Sequence, residues 1–279
     1  MKYADCYREA VRLLENNGVK EAGLDARLLL EYVCGTDRNT LLAHPEREVS
    51  DEDEARFREL LERRCKREPL QYITNEQEFM GLKFETAPDT LIPRQDTETL
   101  VEEAMKEVHD GMEILDLCCG TGCILLSLLK YSNDCSGTGV DLDEKSIELA
   151  ARNAERLGLK ADFRVSNLFE NVEGKYDLIV SNPPYIPSAV IGTLEPEVKD
   201  YEPRRALDGG TDGLDFYKVL ASRCKEYLKR GGYIFFEIGY DQKDAVLELL
   251  NKEGYKDVLC IKDLAGFDRV VKAWYAEQR

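Results

Sequence analysis

The stretch Tyr176-Asp177-Leu178-Ile179-Val180-Ser181-Asn182-Pro183-Pro184-Tyr185 carries the most specific chemistry in the sequence. An apolar run of strand length ends in Asn-Pro-Pro-Tyr. Asn182 and Pro183 each precede a proline and are pushed towards extended backbone. Pro183 and Pro184 have a fixed φ and no N–H, which stiffens the chain and leaves the local carbonyls as acceptors. A planar amide or amine whose nitrogen must point at an electrophile needs acceptors for its two N–H groups. The Asn182 side-chain oxygen and the Pro183 carbonyl are such acceptors, and Tyr185 offers an aromatic wall to a planar group. Catalysis of this kind is positioning for in-line transfer and needs no nucleophilic residue. No convincing Ser/His/Asp or Cys/His set competes with it, and a plain turn after a strand usually needs only one proline.

A second stretch, Glu113-Ile114-Leu115-Asp116-Leu117-Cys118-Cys119-Gly120-Thr121-Gly122, passes from a strand into a glycine turn and then a helix. Such a turn lets a ligand approach the backbone, at the carboxyl ends of strands where open sheets bind ligands. Leu125 stands where a dinucleotide fingerprint would have its third glycine, so that fingerprint fails. Asp141 closes the next strand, about 20 residues beyond the turn, where an acid can accept hydrogen bonds from ribose hydroxyls. Helix capping, the alternative duty for Asp141, can fall to Asp143. Asp116 inside the turn would repel a phosphate but not a cationic sulfonium with an amino-acid tail. The acid therefore favours S-adenosylmethionine over a nucleotide phosphate.

The elements that must position these residues follow from periodicity. From about residue 96 the pattern alternates: helix 96–108, strand 113–118, helix 121–131, strand 137–141, helix 144–157, strand 161–165 and strand 176–181. Alternation of this kind predicts an α/β fold with a parallel sheet covered on both faces. Gly231 to Glu237, Val258 to Ile261 and Val270 to Tyr275 supply three more strands. The first ~70 residues carry helical periodicity only. Cys6, Tyr7, Ala10, Val11, Leu13 and Leu14 share a face, Asp25 is placed to cap a second helix, and Ser50 with Asp51-Glu52-Asp53 opens a third that Lys66 and Arg67 finish. Phe79, Leu82 and Phe84 around Met80-Gly81 predict a short hairpin. The expected domains are a helical bundle over 1–72, a hairpin linker over 73–95 and a catalytic domain over 96–279. The 186–215 connection carries Glu195, Glu197, Asp200 and Glu202, read as a solvated surface or as a face for a basic partner loop.

Composition bounds the rest. With 43% apolar and 33% charged residues the chain reads as a globular protein. It has no apolar run near the ~20 residues of a membrane span and no signal-like start, so the cytoplasm is the expected compartment. Nine scattered cysteines without a CxxC pair read as reduced thiols, and two distant histidines give no zinc spacing. A net charge of −17 points away from nucleic acid and towards a small molecule or a protein with a basic surface.

Asn182-Pro183-Pro184-Tyr185 after such a strand resembles motif IV of the amino-methyltransferases. The whole chain is similar to the peptide chain release factor glutamine methyltransferases, the HemK/PrmC family. Glu68-Pro69-Leu70-Gln71-Tyr72-Ile73, Leu91-Ile92-Pro93-Arg94, Ala206-Leu207-Asp208-Gly209-Gly210 with Asp212-Gly213-Leu214, and Glu237-Ile238-Gly239 carry the likeness beyond that motif. The resemblance implies a Rossmann-like, seven-stranded class I methyltransferase domain with its last strand antiparallel, preceded by a substrate-binding helical bundle and a hairpin. It implies S-adenosylmethionine as cofactor and methylation of the glutamine in the Gly-Gly-Gln loop of release factors by a monomer. By the same resemblance Asn182 and Pro183 hold the glutamine amide, with Pro184 and Tyr185 packed against it. Asp116, Cys118, Cys119, Gly120, Thr121, Gly122, Asp141 and Asn182 itself line the cofactor, with Asn167 and Leu168 near its adenine. Cys118 stands where the family commonly has glycine, Asn167 where it has aspartate, Leu168 where some members have tryptophan, and Gln95-Asp96 where it has Pro-Glu. A DNA adenine methyltransferase shares both motifs but would need a basic surface and a base-flipping pocket. A silent adaptor on the same fold would have no use for Asn182 or Asp141.

Overall fold

A computed structural model describes residues 1–276, which fall into two units: Met1–Glu76 with Glu195–Tyr201, and Gln77–Leu194 with the chain from Glu202 onward. The N-terminal periodicity becomes helices α1 (Tyr3–Asn16), α2 (Ala22–Cys34), α3 (Arg38–Ala43), α4 (Asp51–Cys65) and α5 (Leu70–Thr74). Tyr3, Cys6, Ala10 and Leu14 form the buried stripe of α1, an i, i+3, i+4 series. Tyr7 lies one row off that stripe and is exposed. Helix α4 begins where its sequence dictates: Ser50 Oγ accepts from the Asp53 N–H at 3.1 Å, and acids fill the first turn, where the helix dipole favours them. It ends at Cys65, before Lys66 and Arg67.

Asp25 does not cap α2. That helix starts earlier, at Ala22, and Asp25 lies buried within it. Its Oδ2 accepts from Arg64 Nε at 2.7 Å. A buried guanidinium left unpaired would cost more than a missing cap, so the tertiary partner wins. Arg64 also bonds the Glu68 carbonyl at 3.2 Å and Glu197 Oε1 at 2.9 Å. Arg67 closes on both oxygens of Glu197 at 2.6 Å, and Lys20 meets Glu195 Oε1 at 2.7 Å. Glu202 pairs with Arg94. The acids of the 186–215 connection divide: Glu197 and Glu202 are committed within the chain and are not a solvated surface, while Glu195, though paired with Lys20, and Asp200 are exposed.

In the second unit, strands β1 (Glu76–Phe79) and β2 (Leu82–Glu85) form the expected hairpin. Met80 and Gly81 both have positive φ, 52° and 69°, the pattern of a two-residue turn that matches strand twist. Phe79 and Phe84 meet edge to face with centroids 6.1 Å apart. The alternating part follows as α6 (Glu98–Met105), β3 (Glu113–Leu117), α7 (Cys123–Tyr131), β4 (Ser136–Asp141), α8 (Glu144–Leu157), β5 (Asp162–Val165) and β6 (Tyr176–Ser181). After the short α9 (Pro196–Lys199) come α10 (Asp215–Tyr227), β7 (Leu228–Glu237), α11 (Lys243–Lys252), β8 (Lys256–Lys262) and β9 (Asp268–Trp274). The expected helix 96–108 is shorter, a 3-10 turn at Gln95–Thr97 leading into α6.

The larger sheet of the described residues has seven strands in the order β5-β4-β3-β6-β7-β9-β8. Its pairs are parallel from β5 to β7, and β9, the last strand, is antiparallel to both neighbours. This is the α/β architecture with an antiparallel last strand expected from the sequence. One core cluster includes Leu115, Ile179, Tyr217, Ile234 and Phe236; another includes Ile114, Leu125, Leu128, Val180 and Phe235. Alternate residues of the same strands feed opposite layers, as burial on both faces requires. Among the described residues no helix is long and apolar enough to cross a membrane.

Candidate active site

The chain runs β3, β4, β5 in one direction across the sheet and then returns to place β6 on the other side of β3. That reversal opens a crevice at the carboxyl ends of β3 and β6, the place where open α/β sheets bind ligands. A cleft open to solvent lies there. Its lining brings together Cys118, Cys119, Gly120, Thr121, Asp141, Asn167, Leu168, Asn182 and Pro184. Gly122, Asp116, Pro183 and Tyr185 are not part of that lining.

The glycine turn is held from both sides. Cys119 N–H donates to the Val140 carbonyl at 3.0 Å and Gly122 N–H to the Cys119 carbonyl at 2.8 Å. Cys118 takes a φ of 61°, so the left-handed conformation that glycine would adopt freely is kept with a side chain in place. A Cβ on Gly122 would lie 3.2 Å from Ala150 Cβ and 3.3 Å from Phe163 Cζ. That residue is what lets α7 pack closely on its neighbours.

Asp141 Oδ2 accepts from the Gly120 N–H and Oδ1 from the Asp143 N–H, both at 3.0 Å. Asp143 Oδ2 accepts from Ser146 N–H at 3.0 Å and so caps α8. With capping done by its neighbour, Asp141 keeps one lone pair on each oxygen for a ligand in the cleft. Burial pushes its carboxyl above the ordinary value, against the two backbone N–H groups that favour the charged form.

Asp116 sits differently from the sequence expectation. It is fully buried in β3, and its Oδ2 accepts from the Leu125 N–H of α7 at 3.3 Å while Oδ1 has no hydrogen-bond partner among the described residues. Its side chain is turned to the face that α7 covers. Burial drives its pKa well upward, with Asp141 adding to the effect. Asn167 donates through Nδ2 to Glu170 Oε1 at 3.0 Å, which leaves its amide oxygen as the group for a ligand.

The Asn-Pro-Pro-Tyr segment is braced by residues that the sequence reading did not assign to the site. The 207–213 segment runs alongside it: Ile186 N–H donates to the Leu207 carbonyl and Gly209 N–H to the Ile186 carbonyl, both at 2.9 Å. Gly209 leaves no room for a side chain, since a Cβ there would lie 2.7 Å from Tyr185 Cα and 2.8 Å from Pro184 O. Gln242 accepts from the Gly239 N–H at 2.9 Å and donates to the carbonyls of Tyr185 at 2.9 Å and Gly213 at 3.1 Å. Tyr185 Oη bonds Glu237 Oε1 at 3.2 Å, and Asn182 Nδ2 donates to Thr97 Oγ1 at 3.3 Å. Nothing local marks Gln242 or Thr97, because each finds its partner far along the chain. The glycines of 209–213 were visible only as part of a family likeness.

Comparison with known proteins agrees with this layout. Residues 5–74 match the PrmC N-terminal domain family and residues 95–192 the methyltransferase small domain family. The chain is 44% identical to the release factor glutamine methyltransferase of Geobacter sulfurreducens, across 92% of this chain and 91% of that one. It is 40% identical to the protein of the same name from Clostridium botulinum, across 96% and 98%. Among solved structures, a methyltransferase from Pyrococcus furiosus is similar at a TM-score of 0.56 with 22% identity, over 71% of this chain and 91% of that chain. The 16S rRNA N2 G1207 methyltransferase of T. thermophilus, in complex with AdoMet and guanosine, is similar at 0.53 with 19% identity, over 71% and 49%. These two share the fold.

Proposed function

The chain belongs to the release factor glutamine methyltransferase family, and from that premise we propose that it methylates the side-chain amide nitrogen of the glutamine in the Gly-Gly-Gln loop of a peptide chain release factor. The observation that supports this most is the meeting of Asn182 with residues 118–121 of the glycine turn and Asp141 in one cleft. S-adenosylmethionine, when bound, supplies an electrophilic methyl group on a sulfonium. The residues present suit it: Asp141 has acceptors to spare for ribose hydroxyls, Asn167 and Leu168 are placed for an adenine, and no lysine or arginine stands in the 118–122 turn to hold a phosphate.

The substrate amide nitrogen is a poor nucleophile because its lone pair is delocalised into the carbonyl. Acceptors on its N–H groups raise the electron density at nitrogen and fix the direction in which it attacks. Asn182 Oδ1 and the Pro183 carbonyl supply them, Pro184 keeps that backbone rigid, and Tyr185 packs behind. As the nitrogen–carbon bond forms and the sulfur–carbon bond breaks, one amide proton leaves to solvent. The helical unit, residues 1–72 in the sequence reading, holds the body of the release factor. The enzyme acts as a cytoplasmic monomer without a nucleic-acid partner, in keeping with a net charge of −17.

Transfer of label from methyl-tritiated S-adenosylmethionine to a purified release factor tests the reading. Label in the factor but not in its Gln→Asn variant supports it; label in adenine of a DNA control instead overturns it. The brace gives a separate expectation. Gly209→Ala forces the Pro184–Tyr185 backbone aside, and displacements near 1 Å cost about 100-fold in rate. Steady-state kinetics should show that loss in kcat, while calorimetric binding of S-adenosylhomocysteine changes little.

A further inference from the structure

A side-chain amide has two ends of nearly equal shape and opposite hydrogen-bonding character. If Asn182 is to accept from a substrate N–H, its oxygen must face the cleft; turned over, it would set donor against donor. Something in the protein must decide. We propose that Thr97 is a positioning residue for the transfer, its hydroxyl anchoring Asn182 Nδ2 so that Oδ1 is the atom offered to the substrate amide. This deepens the reading of the glutamine enzyme and rests on it.

The strand register brings the parts together. Ser181 pairs with Phe236 across β6 and β7, so Asn182 and Glu237 follow side by side at the carboxyl ends of those strands. Thr97 is 1% exposed, as is Glu237, and Thr97 also borders the cleft. Asn182 Nδ2 donates to Thr97 Oγ1 at 3.3 Å.

A hydroxyl alone would not choose, since it can accept or donate. Glu237 makes the choice. Its Oε1 accepts from Tyr185 Oη at 3.2 Å, and its Oε2 is buried without a hydrogen-bond partner among the described residues. Burial pushes the carboxyl up, while Thr97, Arg269 and Tyr185 each favour the charged form. A charged Glu237 only accepts, and the Thr97 hydroxyl favours that form; with its proton turned towards the carboxylate, the Thr97 lone pairs are left for Asn182 Nδ2. Donation through Nδ2 also polarises the amide and makes Oδ1 a stronger acceptor. Thr97 touches no reacting atom in this scheme and acts only through Asn182.

The test compares Thr97→Val, which keeps the shape and loses the hydroxyl, with Thr97→Ser, which restores it. Thr97→Ala serves as the second hydroxyl-free variant if the valine protein does not fold. The valine variant is expected to lose about 10- to 100-fold in kcat on a release factor, with KM and cofactor Kd within about threefold, and serine to recover most of the loss. The Asn182 side-chain NH2 signals, assigned by their absence in Asn182→Ala, report the anchor without any substrate. Their hydrogen exchange should speed up at least about tenfold on losing the hydroxyl and return with serine. Unchanged exchange and unchanged kcat in a folded hydroxyl-free variant overturn the proposal, as does failure of serine to rescue. A wild-type protein that leaves the release factor unmodified overturns the functional reading instead, and the exchange measurement still decides the role of Thr97.

Discussion

Asn182→Ala is expected to lower methyl transfer by on the order of 10²–10³-fold, the cost of deleting one positioned polar group from a transition state. The side-chain oxygen is lost, the Pro183 carbonyl cannot hold both N–H groups, and the amide nitrogen is free to rotate away from the line of attack. Cofactor affinity should change by less than about threefold, because Asp141 at the end of β4 and Gly120 in the turn after β3 are held to each other and not to β6. Single-turnover kinetics with saturating cofactor separates the two quantities. A variant that transferred at the wild-type rate would remove Asn182 from the mechanism. One that lost cofactor binding in proportion would make it a cofactor residue.

Arg64→Met should be the most damaging change to the helical unit. Arg64 spends its fork on Asp25, Glu197 and the Glu68 carbonyl, and its side chain is 7% exposed. Removing it strands the Asp25 carboxylate and leaves Glu197 to Arg67 alone, at a cost of about 3–5 kcal/mol for breaking a buried pair. Arg63 is the control: it pairs with Glu68 at 2.5 Å with its side chain 38% exposed, and Arg63→Met should cost no more than about 1 kcal/mol. Denaturant unfolding with hydrogen exchange of the α2 and α4 peptides locates the effect. Equal losses in the two variants would contradict the account.

Acidity probes the same cluster. Burial raises the Glu197 carboxyl, but the bonds from Arg67 and Arg64 outweigh it and hold the group below its ordinary 4.5. Its contribution is present above that value and fades as pH falls through the lowered one. Asp25 runs in the opposite sense. Burial outweighs Arg64 and raises it above 3.8, so its ionisation opposes folding as pH rises.

Much of the fold was legible because it is local. Strand β6 and helix α8 begin and end where the apolar run and the caps put them: Asp143 at the start of α8, and Gly158 in the left-handed region at its end. The order of strands is not local and was not read; the likeness to a family supplied only the seven strands and the antiparallel last one. Within the site, Asn182, the 118–122 turn and Asp141 could be read from residue type and spacing. Asp116 could be read as an acid, but which face of β3 it occupies depends on how α7 packs. Asp25 and Glu197 looked like a cap and a surface charge because their shared partner, Arg64, is remote from each in sequence. Thr97, Glu237 and Gln242 act through contacts across the sheet that no short pattern encodes.

The central claim is the identity of the methylated atom. Peptide mass spectrometry of a release factor incubated with the enzyme and S-adenosylmethionine reads it directly. The account predicts a single added methyl on the side-chain amide of the Gly-Gly-Gln glutamine, absent when Asn182 is replaced. A methyl on another residue of the factor, or none while the cofactor binds normally, would contradict it.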